Sequence, residues 1–335
     1  MTARERPLEA PHRRLESSSR ILERTAVLAY RGAGAFLAHV PAAPAAWLLG
    51  RFAQLSYALW PTKRRWSNAN FGHILGLPPE HPAVRRLALA AYAHYGRYIV
   101  ELMRLPSRPH AELAAAVDAA SVHEVAAAWR ESDGPLIIAA FHLANSEAVG
   151  AALAEHGYPV HVVADDSSFP ELFELLRRQR ETWAVRLVPW RNLRAIFEVL
   201  RRREILVLVV DWGYRPDGIP VRLFDAWTTL PAGPATLAAR SGAPIVPIAV
   251  RRGPGGHGFV AHMDEPIRVA SSAPAELLRA TQELADATAR AIGAAPSEWY
   301  SFKPLWPLDP AESARLEERA RKLAAGEGRG RRAIA

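Results

Sequence analysis

In the stretch GPLIIAAFHLANSEAVG, residues 134–150, an apolar run of strand length ends on His142, and Glu147 follows five positions later. Imidazole titrates near neutral pH, so a histidine in that place can take a proton from a hydroxyl. A carboxylate beside it can hold one tautomer and stabilise the imidazolium. Five positions on a continuous α-helix turn through about 500°, which would put the two on different faces. His142 therefore has to sit in the turn before the helix, with Glu147 in the first turn or two and the side chains within about 5 Å, directly or through one water. The competing reading is a strand-end histidine followed by a helix cap. Ser146 is a candidate nucleophile or a cap, with no strained elbow expected around it. Asp211 ends a second apolar run, EILVLVV at 204–210, in the same manner.

Several chemistries are excluded. The chain has no cysteine, so disulfide frameworks, cysteine-ligated zinc, iron–sulfur clusters and a thiol nucleophile are out. No G-x-S-x-G elbow, P-loop, G-x-G-x-x-G after a strand or H-E-x-x-H occurs. RGPGGHG at 252–258 lies between two expected strands and contains Pro254, which reads as a hairpin rather than a phosphate cradle. His161, Asp165 and Asp166 are metal-ligand types, but His161 falls inside an apolar strand and no metal site is assigned.

Strands are expected at 135–141, 159–164, 185–189, 204–210, 220–224 and 243–251, with shorter ones near 257–263 and 266–269. Helices are expected near 145–156, 170–182, 191–203, 233–241 and 273–293. Continuously apolar strands alternating with amphipathic helices predict an α/β fold, a largely parallel central sheet flanked by helices. Ligands of such sheets sit beyond the carboxyl ends of the strands, where His142 and Asp211 fall. Residues 1–110 read as helical (near 20–38, 44–60, 64–75 and 81–103), 111–310 as the α/β domain, and 311–335 as a helix and a tail frayed from about 322.

The formal charge of +8 is concentrated at one end: residues 1–100 carry 14 Lys or Arg against 5 Asp or Glu. Trp47, Phe52, Tyr57, Trp60 and Trp66 are interleaved with that charge, beside TKRRW at 62–66. Rings at headgroup level and cations on lipid phosphates predict an anionic membrane surface as partner, and not nucleic acid. Gly32 to Gly50 is charge-free but broken at VPAAPAA, which predicts two interfacial helices rather than a span. The first twenty residues lack the apolar core of a secretory signal. The expected location is the cytoplasmic face of the cell membrane, peripheral or monotopic.

FHLANSE resembles the His, four residues, Asp/Glu motif of the glycerolipid and lysophospholipid acyltransferases. The likeness is to the bacterial branch that contains lipid A late acyltransferases and phosphatidylinositol mannoside acyltransferases. It extends through YGRYIVELMRLP (95–106), RRQRETWAVRLVPW (177–190), the segment 206–252 and APSEWYSFKPLWP (295–307). The resemblance implies transfer of a fatty acyl group from acyl-CoA or acyl carrier protein to a hydroxyl of a lipid or glycolipid, with no cofactor. His142 and Glu147 would then be catalytic, and Asn145, Arg180, Asp211, Arg222, Gly233 and Pro234 would bind substrate, Arg180 or Arg222 standing at the mouth of an apolar channel. Ser146 and Trp212 depart from the branch, which often has Trp and Arg there. A non-catalytic lipid-binding protein on the same fold and an acyl-thioester hydrolase are the alternatives.

Overall fold

A computed structural model describes residues 10–132, 134–166 and 170–326, with side chains from Glu23 onward. Four helices come first: α1 (Ala10–His39), α2 (Ala42–Leu59), α3 (Pro61–Leu75) and α4 (Pro82–Arg104). Their boundaries follow local chemistry. Proline lacks the N–H that a first turn cannot pair, and Pro61 and Pro82 open α3 and α4. α3 closes on Gly76, whose φ of 62° suits a residue without a Cβ. α1 begins well before the expected start near residue 20, and it breaks from α2 within VPAAPAA as expected.

Next come α5 (His110–Ala115), α6 (Ala119–Glu131), β1 (Leu136–Ala140), α7 (Ser146–Glu155), β2 (Val160–Ala164), α8 (Pro170–Glu181), β3 (Arg186–Pro189), α9 (Leu193–Arg201) and β4 (Ile205–Val209). The hairpin β5 (Ile219–Leu223) and β6 (Ala226–Leu230) follows, then α10 (Gly233–Ser241), β7 (Ile245–Arg252), β8 (Phe259–Met263), α11 (Pro274–Ala294) and α12 (Pro310–Ala324). Three of these were not expected: α5, α6 and β6. The strand expected at 266–269 is only a bridge between Ile267 and Ile245. The tail expected to fray from 322 is still helical to Ala324, and residues 327–335 lie outside the described ones.

The sheet has the order β3-β2-β4-β1-β7-β8, parallel except for β8, with β5 and β6 as a separate ribbon. The chain leaves β1 towards β2 and later crosses from β4 to β7 on the other side of β1. β1 and β4 thus lie where the connections diverge, the usual ligand crevice of an open α/β sheet. Alternation along β1 sends Ile137 and Ala139 to one core and Leu136, Ile138 and Ala140 to the other. The first core takes in Tyr57, Phe71, Val84 and Tyr92, so helices α2 to α4 share it with the sheet. Arg252 of β7 adds a tie, its guanidinium meeting the Glu101 carboxylate of α4 at 2.6 and 3.0 Å. RGPGGHG is the β7–β8 hairpin connection. Among the described residues no helix is long and apolar enough to cross a membrane.

Candidate active site

β1 and β4 are neighbours in parallel register, with Ala140 opposite Val209. Two residues further along each strand stand His142 and Asp211, so both leave the sheet at the same level. Asp211 is fully buried and accepts three groups: the His142 backbone N–H (3.2 and 3.0 Å), the His142 ring at Nδ1 (2.7 Å), and the Trp299 indole N–H (2.7 Å). With Nδ1 donating to the carboxylate, Nε2 is left as the free basic nitrogen. The His142 side chain keeps 27% of its exposure, against none for Asp211.

The electrostatics run in opposite directions for the two. Burial alone would lower the His142 pKa, but the Asp211 charge and its hydrogen bond outweigh burial and raise it, with a smaller contribution from Glu147. Burial would raise the Asp211 pKa, and the His142 charge together with the hydrogen bonds from His142 and Trp299 holds it low.

The turn after His142 is tight. Leu143 donates its N–H to the Phe141 carbonyl at 2.8 Å, and Ala144 donates to the Glu298 carbonyl at 3.0 Å. Ala144 has a φ of 46°, a left-handed conformation that costs an L-residue about 1–2 kcal/mol. The strain not expected around Ser146 is therefore present two residues before it. The segment at 298–300 clamps this turn, because Tyr300 also donates its N–H to the His142 carbonyl at 2.9 Å.

No direct hydrogen bond or ion pair joins His142 to Glu147, although the Glu147 charge acts on the ring. Glu147 instead takes the Arg180 guanidinium of α8, Nε to Oε2 at 2.8 Å and Nη2 to Oε1. The physical reason is geometric: Asp211 already occupies Nδ1 from below, while Glu147, one residue into α7, faces the buried Arg180. Arg180, expected at a channel mouth, is 9% exposed and committed to that carboxylate. Asn145 is fully buried and caps α7, its Oδ1 accepting the Ala148 N–H at 3.2 Å, so the substrate side is not where it points its oxygen. Asp211, too, was expected to touch substrate and is instead sealed beneath His142.

The remaining expectations scatter. Gly233 and Pro234 open α10, which leads into the amino end of β7, so they lie towards the carboxyl end of the sheet. Arg222 stands on the hairpin, its guanidinium exposed near Asp225 and its backbone N–H donated to Gln282 of α11. His161 is buried with Nε2 2.8 Å from a Glu204 carboxylate oxygen, and burial lowers its pKa despite that charge. A cleft of about 710 Å³ between the end of α3 and the Phe224–Asp225 turn contains none of the groups around Asp211. The convergence of a polarised histidine, a buried acid and a strained turn locates chemistry better than the size of a cleft, so the candidate site is the one at His142.

Trp299 and Lys303 were not singled out from the sequence, although both lie in the quoted APSEWYSFKPLWP, and Trp212 was noted only as a departure from the branch. Trp212 packs its ring 5.1 Å from the His142 ring, and Lys303 places Nζ 4.0 Å above Trp212.

A sequence model described as bacterial lipid A biosynthesis acyltransferase matches residues 14–307. The chain belongs to that family. Members of this acyltransferase family act on lipids or glycolipids, and this chain is such an acyltransferase, taking an acyl donor and a lipid or glycolipid acceptor. Among curated proteins it is similar to the phosphatidylinositol mannoside acyltransferases of two Mycobacterium tuberculosis strains, CDC 1551 / Oshkosh and H37Rv. Each is 29% identical over 259 residues, covering 75% of this chain and 80% of the relative. The protein of that description from Mycolicibacterium smegmatis is 27% identical over 253 residues, covering 73% of this chain and 80% of the relative.

Proposed function

We propose that this protein is a membrane-surface O-acyltransferase that moves a fatty acyl group from a thioester, acyl-CoA or acyl carrier protein, directly to a sugar hydroxyl of a glycolipid of the phosphatidylinositol mannoside type. The acceptor class rests on the names of its relatives. The chemistry rests on one observation: His142 is held at Nδ1 by buried Asp211, with Nε2 left unpaired at the carboxyl end of β1.

In this reading Nε2 takes the proton of the acceptor hydroxyl as its oxygen attacks the thioester carbonyl carbon. The carbon–sulfur bond breaks as the tetrahedral intermediate collapses, and the imidazolium returns its proton to the departing thiolate. Asp211 stabilises the imidazolium without taking the proton. The Glu147–Arg180 pair positions α7 against α8 behind the turn that carries His142. The step uses no cofactor and no acyl-enzyme. The basic, aromatic outer face of α2 and the start of α3 would hold the enzyme on an anionic membrane, on the cytoplasmic face, where both thioester donors are found.

The test incubates purified protein with labelled acyl-CoA, or labelled acyl carrier protein, and a total lipid extract, and identifies the labelled product by mass. A labelled mannosylated phosphoinositide, absent with His142→Ala, is the expected result. Label recovered only as free fatty acid would make the protein a thioester hydrolase, and no transfer or release with either donor would leave a lipid-binding protein.

A further inference from the structure

The two arginines expected to receive an anion are unsuited to it, since Arg180 is bound to Glu147 and Arg222 stands on the hairpin beside Asp225. Two lysines are better placed. Lys303 is exposed, with Nζ 4.0 Å from the centre of the Trp212 ring, and that ring lies 5.1 Å from His142. Trp212 is 60% exposed, a large indole left facing solvent beside the imidazole ring. Lys63, at the start of α3, lies 4.7 Å from the Trp66 ring and 5.8 Å from that of Trp60. Neither lysine forms an ion pair with a carboxylate of the described residues.

The position of Lys303 is built rather than incidental. Asn70 of α3 donates to the Lys303 carbonyl at 2.7 Å and to that of Ser301 at 3.1 Å, and accepts the Leu305 N–H at 3.0 Å. On the other side Tyr214 donates its N–H to the Pro304 carbonyl at 2.8 Å. Gly213 permits this approach: at its φ of 143° a Cβ would stand 3.3 Å from the Pro304 oxygen and 3.4 Å from the Lys303 Cβ. The segment after β4 and the closing segment are thereby pressed together with Lys303 over Trp212.

Lys63 and Lys303 act on one another as like charges, and the Asn70 bond to the Lys303 carbonyl ties the helix that carries Lys63 to the closing segment. Partial burial and then the charge of Lys63 lower the Lys303 pKa, opposed by Asp165, whose carboxylate also accepts the Trp190 indole N–H at 3.2 Å. A phosphate would relieve that repulsion.

We infer that Lys303, supported by Lys63 and by the exposed Trp212 ring, is the phosphate-binding mouth of the site, seating a phosphate of the donor or of the acceptor beside His142. The inference rests on His142 being the reacting centre. The shared chemistry is a phosphate mono- or diester, which a coenzyme A donor and a phosphoinositide acceptor both carry.

The experiment measures binding without turnover, by calorimetry on the full chain, with coenzyme A as one probe and glycerophosphoinositol as the other. Wild type, Lys303→Gln, Lys303→Arg and Lys63→Gln are compared, with circular dichroism to verify folding. The expected result is that Lys303→Gln weakens one or both probes about tenfold, that Lys303→Arg restores most of the affinity, and that Lys63→Gln has a smaller effect. The probe that weakens names the source of the phosphate. A wild-type protein that binds phosphate through Lys303 yet transfers no acyl group would refute the proposed reaction and keep the mouth. Because the Lys303 charge also lowers the His142 pKa, Lys303→Gln should move the acid limb of the rate profile to higher pH. Equal affinity of wild type and Lys303→Gln for both probes, or failure of wild type to bind either, overturns the inference.

Discussion

Asp211 has no exposed atom, and in the proposed reaction it governs how His142 reacts. Removing the imidazole leaves the acceptor proton with no base, so His142→Ala should lower turnover by about 10²–10⁴-fold or more while the far-ultraviolet spectrum is unchanged. Asp211→Asn removes the charge that raises the His142 pKa, so the base would stay unprotonated to lower pH. The acid limb of the rate profile should then move to lower pH, with a smaller shift in the same direction for Glu147→Gln, whose charge contributes less. A larger shift for Glu147→Gln than for Asp211→Asn would restore the expected dyad. His142 was legible because an apolar run ending on a histidine is a local pattern. Its partner was not, because Asp211 lies 69 residues away, and only the adjacency of β1 and β4, with β2 and β3 intervening in the chain, brings them together. Strand order is a property of the packed sheet, and nothing near either residue announces it.

Elements with strong periodicity were read correctly, and the misses have local causes. β6 carries Thr228 and Thr229, both buried, which break its apolar pattern, and Thr228 satisfies its hydroxyl on the Leu305 carbonyl. Its turn uses Phe224 and Asp225 at φ of 48° and 63°, where the usual signal of such a two-residue turn is Asn-Gly. Between helices the ion pair of α7 and α8 is largely buried, with side-chain exposures of 10% for Arg180 and 23% for Glu147. Arg180→Ala would strand the Glu147 charge and should destabilise the fold by about 3 kcal/mol, read from the urea midpoint. Arg180→Met combined with Glu147→Gln should recover part of that loss, since no unpaired charge is then left behind. α1 joins the same region, the Glu23 carboxylate accepting the Glu171 N–H at 2.6 Å at the start of α8.

For the molecule as a whole, the proposed work at a membrane surface would fall to the outer face of α2. Trp47, Phe52 and Leu59 are 62%, 69% and 73% exposed, an apolar face left open to solvent. Arg51 lies 5.6 Å from the Trp47 ring, so the cations are set among the rings. Flotation should show binding to anionic vesicles that weakens with salt and persists in part, since burial of the rings is not screened. Phe52→Ser should weaken it about tenfold, from the ~1.5–3 kcal/mol that burying one such side chain contributes. Equal binding to neutral and anionic vesicles would refute the role of charge. α2 meets α4 at two glycines: a Cβ on Gly96 would stand 2.5 Å from the Gly50 nitrogen, and one on Gly50 3.1 Å from the Ala93 carbonyl. α4 is in turn clamped to β7, so on a membrane held through α2 the crossing would set the standoff height of the imidazole above the lipid plane. Gly96→Ala should displace α2 and alter that height without touching the rings that adsorb or the groups that react. Adsorption to vesicles should then be preserved and turnover of detergent-dispersed acceptor unchanged, while turnover of acceptor embedded in a bilayer falls, so that two backbones in contact act as the gauge of interfacial catalysis.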